Sequence, residues 1–276
     1  MDIGRDSEID FDTALALLDW QVELGADEAI GDAPVNRYEL PQKAEAPRPA
    51  QAPAGTAPAP AGAAPMPAPA QAEGPDAVEV AREAAARAPD LDALRAAIEA
   101  FDLCELKKGA KTTVFADGRP GARVMILGEA PGRDEDIQGK PFVGRAGQLL
   151  DRMFAAIGLS RDAPDLEHAF YISNILPWRP PHNRDPAPPE IAMMMPFVKR
   201  HVELAAPEVL VLMGNTPCAA VLGKRGITRM RGSWTEALGL PVLPMFHPAY
   251  LLRNPAAKRE AWADLLALQA KLREIS

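Results

Sequence analysis

Cysteine is almost absent from this chain, with two residues among 276. Two thiols cannot build a disulfide framework, and in a cytoplasmic chain even a single bridge is not expected. No uninterrupted apolar stretch reaches about 18 residues, which excludes a membrane-spanning helix. The opening residues, MDIGRDSEIDFD, are acidic where a secretory signal is basic, so the cytoplasm is the expected compartment. A phosphate cradle is missing too. The GEAPG segment at 128–132 lacks the glycine spacing of a dinucleotide or P-loop motif, and no Lys–Ser/Thr pair follows it.

Proline, by contrast, is plentiful and unevenly spread. Of the chain's 29 prolines, many fall in 44–72, which is almost entirely Ala, Pro, Gly and Gln. Such a segment cannot bury enough surface to offset its ordering entropy. We therefore expect a disordered Ala/Pro-rich linker over 41–75, an acidic helical segment over 1–40 and a folded domain over 76–276. Within the first segment, Phe11, Leu15, Leu18 and Val22 recur at three- and four-residue steps, with Leu17 and Trp20 adjoining. This predicts an amphipathic helix over 10–23. Isolated, it would be marginal, so it is expected to dock on the core, on a second copy or on a partner protein. Charge divides the same way. Residues 1–100 carry 7 Lys+Arg against 19 Asp+Glu, a net −12, whereas 101–276 carry 23 against 19, a net +4. The mildly basic part suits a DNA-binding surface, although a surplus of that size is also ordinary.

After Ala-rich helices at 76–101, broken near Pro89, the pattern alternates. Strands are expected at 124–127, 170–175, 209–213 and 242–244. Helices are expected at 147–157, 189–204, 216–222 and 256–272. Alternation of this kind implies an α/β protein with a mostly parallel sheet covered on both faces. The segment 128–151, GEAPGRDEDIQGKPFVGRAGQLLD, then stands out. It follows a buried strand with acidic Glu129, a Pro-Gly turn and a lone aromatic, Phe142, before an amphipathic helix. Polar and aromatic groups thus gather at a strand's carboxyl end, where open α/β sheets bind ligands.

Together with NILPWRPPHNR (174–184) and FHPAYLLR (246–253), this segment closely resembles the family-4 uracil-DNA glycosylases, from about Phe101 onward. The resemblance implies a three-layer α/β/α sandwich and a DNA repair enzyme that hydrolyses the N-glycosidic bond of a flipped-out uracil. The strand is left uncut, with an abasic site. No lysine stands in these motifs for Schiff-base chemistry. The competing reading is a uracil-DNA-binding or trapping protein with little turnover. DNA, single- or double-stranded, is the expected partner, and a monomer the expected state.

Each chemical task has a candidate. Gly128, Glu129, Phe142, Asn174 and His247 would form the uracil pocket, with Glu129, Asn174 and His247 catalytic. Phe142 offers a flat wall for a pyrimidine, or else an ordinary core aromatic; its flanking Pro141 and Gly144 suggest an exposed loop. The Asn174 amide presents a donor and an acceptor together, matching uracil N3–H and O4 and mismatching cytosine. His247 would aim an N–H at uracil O2. Glu129 would position water or counter the sugar cation, with Asp134, Glu135 and Asp136 as alternatives. Family-1 enzymes carry an Asp at the position of Ala130 and a thymine-blocking Tyr at that of Gly132. DNA contacts are expected from Arg179, Arg184, Arg231, Gly232, Ser233 and Arg253. Leu251 and Leu252 would serve as a wedge or as core packing.

The resemblance also breaks. Family-4 enzymes usually hold a four-iron four-sulfur cluster on four cysteines. The corresponding positions here are Phe101, Cys104, Trp178 and Met194, with Cys218 outside the pattern. One thiolate cannot hold such a cluster, so we expect none, and no metal, with Phe101, Trp178, Met193 and Met194 as an apolar filling. His182 replaces the usual Gly of RPPGNR. Without the KRRIH insertion of a related covalent-trapping branch, it is expected to contact phosphate or solvent.

Overall fold

The structure, a computed structural model, describes residues 76–275. The expected helix at 10–23 and the linker at 41–75 lie outside the described residues. The elements begin with α1 (Ala77–Arg87), α2 (Leu91–Ala100), α3 (Leu106–Gly109), β1 (Ala116–Gly118) and β2 (Val124–Gly128). There follow α4 (Arg133–Gln138), α5 (Arg145–Ala155), β3 (Phe170–Asn174), α6 (Pro188–Ala205) and β4 (Val209–Met213). The chain continues through α7 (Asn215–Leu222), α8 (Ile227–Met230), β5 (Thr235–Ala237), β6 (Leu240–Met245), α9 (Pro248–Arg253) and α10 (Lys258–Glu274).

The six strands pair in the order β1-β3-β2-β4-β6-β5. The inner four are parallel, while β1 and β5 run antiparallel at the two edges. The inner four are the strands expected from apolar runs. Every residue of β2, β3 and β4 is buried, as strands covered on both faces require. Alternation divides their side chains between two layers. Val124, Ile126, Ile172 and Val211 pack with Phe154 of α5 and Leu265 and Leu268 of α10. Met125, Leu127, Tyr171 and Leu212 pack with Val198 and Val202 of α6 and Cys218 of α7. The α/β/α sandwich is therefore present, its sheet mostly parallel.

Helices α1 and α2 form a further layer on α6. Each begins at an aspartate whose carboxylate accepts a backbone N–H: Asp76 from Val78 and Asp90 from Ala93. Such caps satisfy otherwise orphaned donors. From β2 the chain moves to β3 on one side and then crosses to β4 on the other. The carboxyl end of β2 is thus a topological switch point, where a crevice opens between diverging connections.

Candidate active site

Residues from five segments meet at that crevice. A cavity of about 600 Å³ is lined by Glu129, Phe142, Asn174, Thr216, His247 and Arg253, among others. Glu129 follows β2, Asn174 ends β3, Thr216 stands in the first turn of α7 and His247 follows β6. Glu129, Phe142, Asn174 and His247, the four side chains singled out from the motifs, therefore face one space.

Gly128 lets two of its walls meet. It pairs with Asn174 across the β2–β3 ladder. A Cβ there would fall 2.4 Å from Asn174 Oδ1 and 2.5 Å from the Phe142 ring, well inside contact distance. Asn174 itself is buried, and among the described residues its Oδ1 has no hydrogen-bond partner. A buried acceptor left unmatched costs about 1–3 kcal/mol, which marks it as a group awaiting a donor.

Phe142 departs from its expected exposed loop. It is buried, because its ring packs under Gly128 and beside His247, with ring centroids 5.4 Å apart at 30°. Its backbone has φ +54°, rare for an aromatic residue. Gly147 permits this geometry, since a Cβ there would sit 1.7 Å from the Phe142 carbonyl oxygen.

His247 caps α9. Its Nδ1 accepts the Ala249 N–H at 3.1 Å. Burial, with a smaller push from Arg253, brings its pKa down to about 4. Near neutral pH the ring is therefore uncharged. With Nδ1 accepting, the proton resides on Nε2, and that nitrogen is the available donor.

Four carboxylates were candidates beside the pocket. Asp136 is buried and accepts the N–H groups of Lys111 (2.8 Å) and Thr112 (3.2 Å). Glu135 lines the cavity but accepts from Gly132, Val143 and Gly144 with its two oxygens. Asp134 is exposed on α4. Glu129 alone combines a place in the lining with a lightly used carboxylate, one oxygen of which accepts the Thr216 hydroxyl at 2.5 Å. Burial raises its pKa and the nearby Asp185 adds to the rise; the Thr216 bond and Arg225 oppose it.

The expected DNA contacts divide. Arg184 and Arg253 line the cavity, Arg184 while donating to Glu190 at 3.0 and 2.5 Å. Arg179 is held by the Asn183 side chain at 2.8 Å. Arg231 is engaged within the fold: its guanidinium grips the buried Asp264 and donates to the Glu260 carbonyl. The Gly232 amide donates to the Pro244 carbonyl and that of Ser233 to Met230, so neither amide is free for a phosphate; the Ser233 side chain stays exposed. Leu251 is fully buried beside Leu149 and Phe246, which removes it as a wedge. Leu252 is half-buried. His182 is exposed and absent from the cavity lining. Sequence reasoning missed Thr216, Arg225 and Tyr250, all in the lining. A Gly-Asn-Thr run directly after an apolar strand was the only available signal for the first.

The comparisons with known proteins agree with this geometry. The family model described as "Uracil DNA glycosylase superfamily" matches residues 115–266. A "Type-4 uracil-DNA glycosylase" of Thermotoga maritima is 39% identical over 154 residues, covering 55% of this chain and 77% of the relative. One of Archaeoglobus fulgidus is 36% identical over 170 residues, covering 58% and 82%. One of Sulfurisphaera tokodaii is 35% identical over 183 residues, covering 63% and 79%. A match over more than half of the chain, joined to a pocket at the carboxyl edge of a parallel sheet, assigns the family: the chain belongs to the uracil DNA glycosylase superfamily, whose members hydrolyse N-glycosyl bonds.

Proposed function

We propose that the protein removes uracil from DNA by hydrolysing its N-glycosidic bond after the base has left the stack. The observation that carries this reading is the unpartnered, buried Oδ1 of Asn174 beside the Phe142 ring. Uracil presents an N3–H for that acceptor and an O4 for the amide's Nδ2. Cytosine presents an acceptor at N3 and a donor at its amino group, so both bonds would fail. Stacking on Phe142 adds about 1–3 kcal/mol.

The neutral His247 would donate from Nε2 to uracil O2 as negative charge develops there on bond cleavage, a contribution of about 3–4 kcal/mol for one well-placed donor. Glu129 would counter the sugar cation or hold the attacking water, with Thr216 fixing one of its oxygens. Among the described residues no lysine lines the cavity, which supports hydrolysis to an abasic site over Schiff-base lyase chemistry. Turnover is favoured over trapping because His182 lies outside the lining.

The four-iron cluster usual in the family does not fit the residues present. Phe101, Cys104, Trp178 and Met194 share one buried cluster, with Phe197 edge-on to Phe101 at 5.4 Å. The Trp178 indole donates to Thr113 at 3.1 Å. The single thiol is held protonated by burial. Four irons need thiolates that this donor set does not offer, so the activity is proposed to need no cluster. A cytoplasmic monomer acting on single- or double-stranded DNA completes the proposal. Among the described residues no helix is long and apolar enough to cross a membrane.

The test is incubation with single- and double-stranded oligonucleotides bearing one uracil, followed by alkali. Strand breaks at the uracil are expected only after alkali. Retention of the oligonucleotide without alkali-labile sites refutes the assignment.

A further inference from the structure

The aromatic wall of the pocket is not held by its own loop. Phe142 occupies the left-handed region, which a bulky side chain keeps only where its surroundings over-determine it. Two charged side chains supply that constraint. Arg161 donates from Nη1 to the Pro141 carbonyl at 3.0 Å and from Nη2 to the Phe142 carbonyl at 3.1 Å. From the other side, Glu135 accepts the Val143 and Gly144 amides, both at 3.0 Å. Consecutive peptide groups around the wall residue are thus gripped by a cation at their oxygens and an anion at their nitrogens.

Arg161 is itself immobilised. Its side chain is only 9% exposed, it bonds Asp151 and Asp117, and its guanidinium stands 5.8 Å from the Phe170 ring centroid. It does not line the cavity, so it would touch no base. We infer that Arg161 is a positioning residue for the reaction, holding Phe142 at the distance a stacked pyrimidine needs. The inference rests on the uracil reading of the pocket. A guanidinium is required because its planar fork reaches two carbonyls and two carboxylates at once, which the single ammonium of lysine cannot do.

The experiment separates this claim from the reading beneath it. Protein labelled with fluorophenylalanine is compared by fluorine NMR with and without Arg161→Lys, the residue-142 signal being assigned through Phe142→Leu. Single-turnover excision of uracil is measured on unlabelled protein. We expect Arg161→Lys to shift or broaden the 142 signal and to lower kcat/KM between about tenfold and a hundredfold, the range that sub-ångström to 1 Å misplacement produces. That loss should vanish when Phe142→Ala is already present, which a general loss of stability would not do. An unmoved 142 signal overturns the inference whatever happens to the rate, as does a loss that adds in full to that of Phe142→Ala. A moved signal with unchanged excision leaves the brace standing and overturns instead the stacking role of Phe142.

Discussion

Replacing Gly128 with alanine adds one methyl group at the seam between two pocket walls, and its cost follows from the geometry. The new carbon would lie 2.5 Å from the Phe142 ring and 2.4 Å from Asn174 Oδ1. Ordinary carbon contacts settle at about 3.5–4.0 Å, so the ring must retreat by about 1 Å or the amide must turn. Gly128 needs no left-handed conformation, being a regular member of β2, so the backbone itself tolerates alanine. Overpacking of this kind costs about 1–3 kcal/mol of stability, whereas a 1 Å displacement of a positioning group costs about a hundredfold in rate. Gly128→Ala should therefore melt about 2–12 °C below the parent yet excise uracil about a hundredfold more slowly. Thermal unfolding followed by circular dichroism and single-turnover excision on one preparation supply both numbers. A folded variant working within threefold of the parent would mean that the Asn174–Phe142 juncture does not grip the base.

Asn174→Asp should lower uracil excision by about a hundredfold and bring cytosine excision into view, since a carboxylate accepts from the cytosine amino group; oligonucleotides carrying each base test it, and unchanged preference refutes it. Excision should fall on the acid side as Glu129 takes up a proton, with a midpoint above that of an ordinary carboxylate because burial raises its pKa. Glu129→Gln should remove that acid limb along with most of the rate, and the pH profile of kcat is the measurement. His201, buried against Phe115 and bonded to Tyr171 at 2.9 Å, has its pKa lowered by burial to about 3. An unfolded histidine titrates at about 6.5. Stability from this group is therefore complete above about pH 6.5 and falls by up to about 1.4 kcal/mol per pH unit as the pH drops toward 3. His201→Gln should flatten that part of the melting-temperature profile. Leu252→Ala should weaken capture of double-stranded more than single-stranded substrate without lowering Tm, while Leu251→Ala should lower Tm through a core cavity; equal effects on the two substrates would remove Leu252 as a wedge.

What could be read in advance depended on how local the cause was. The inner strands were legible because 124–127 and 209–213 are continuous apolar runs, the mark of burial on both faces. Strands β1 and β5 were not, since ADG and TEA are three residues long and carry no period. Helices α4, α8 and α9 span six, four and six residues, too few turns to show a stripe. Of the site candidates, Glu129, Asn174 and His247 stand at strand ends and Phe142 in the loop between α4 and α5; that all four line one cavity follows from the fold rather than from any one motif. The tie between Arg231 and Asp264 spans 33 positions, so the loop's own residues gave no sign of it. Leu251 and Leu252 differ only in helix register, which a two-residue leucine pair does not disclose.

The hydrocarbon packing of Phe101, Trp178 and Met194 has a thermal corollary. Cohesion there comes from excluding solvent, a drive that is largely entropic near room temperature and weakens on cooling. The contribution of that corner to stability therefore shrinks as the temperature falls.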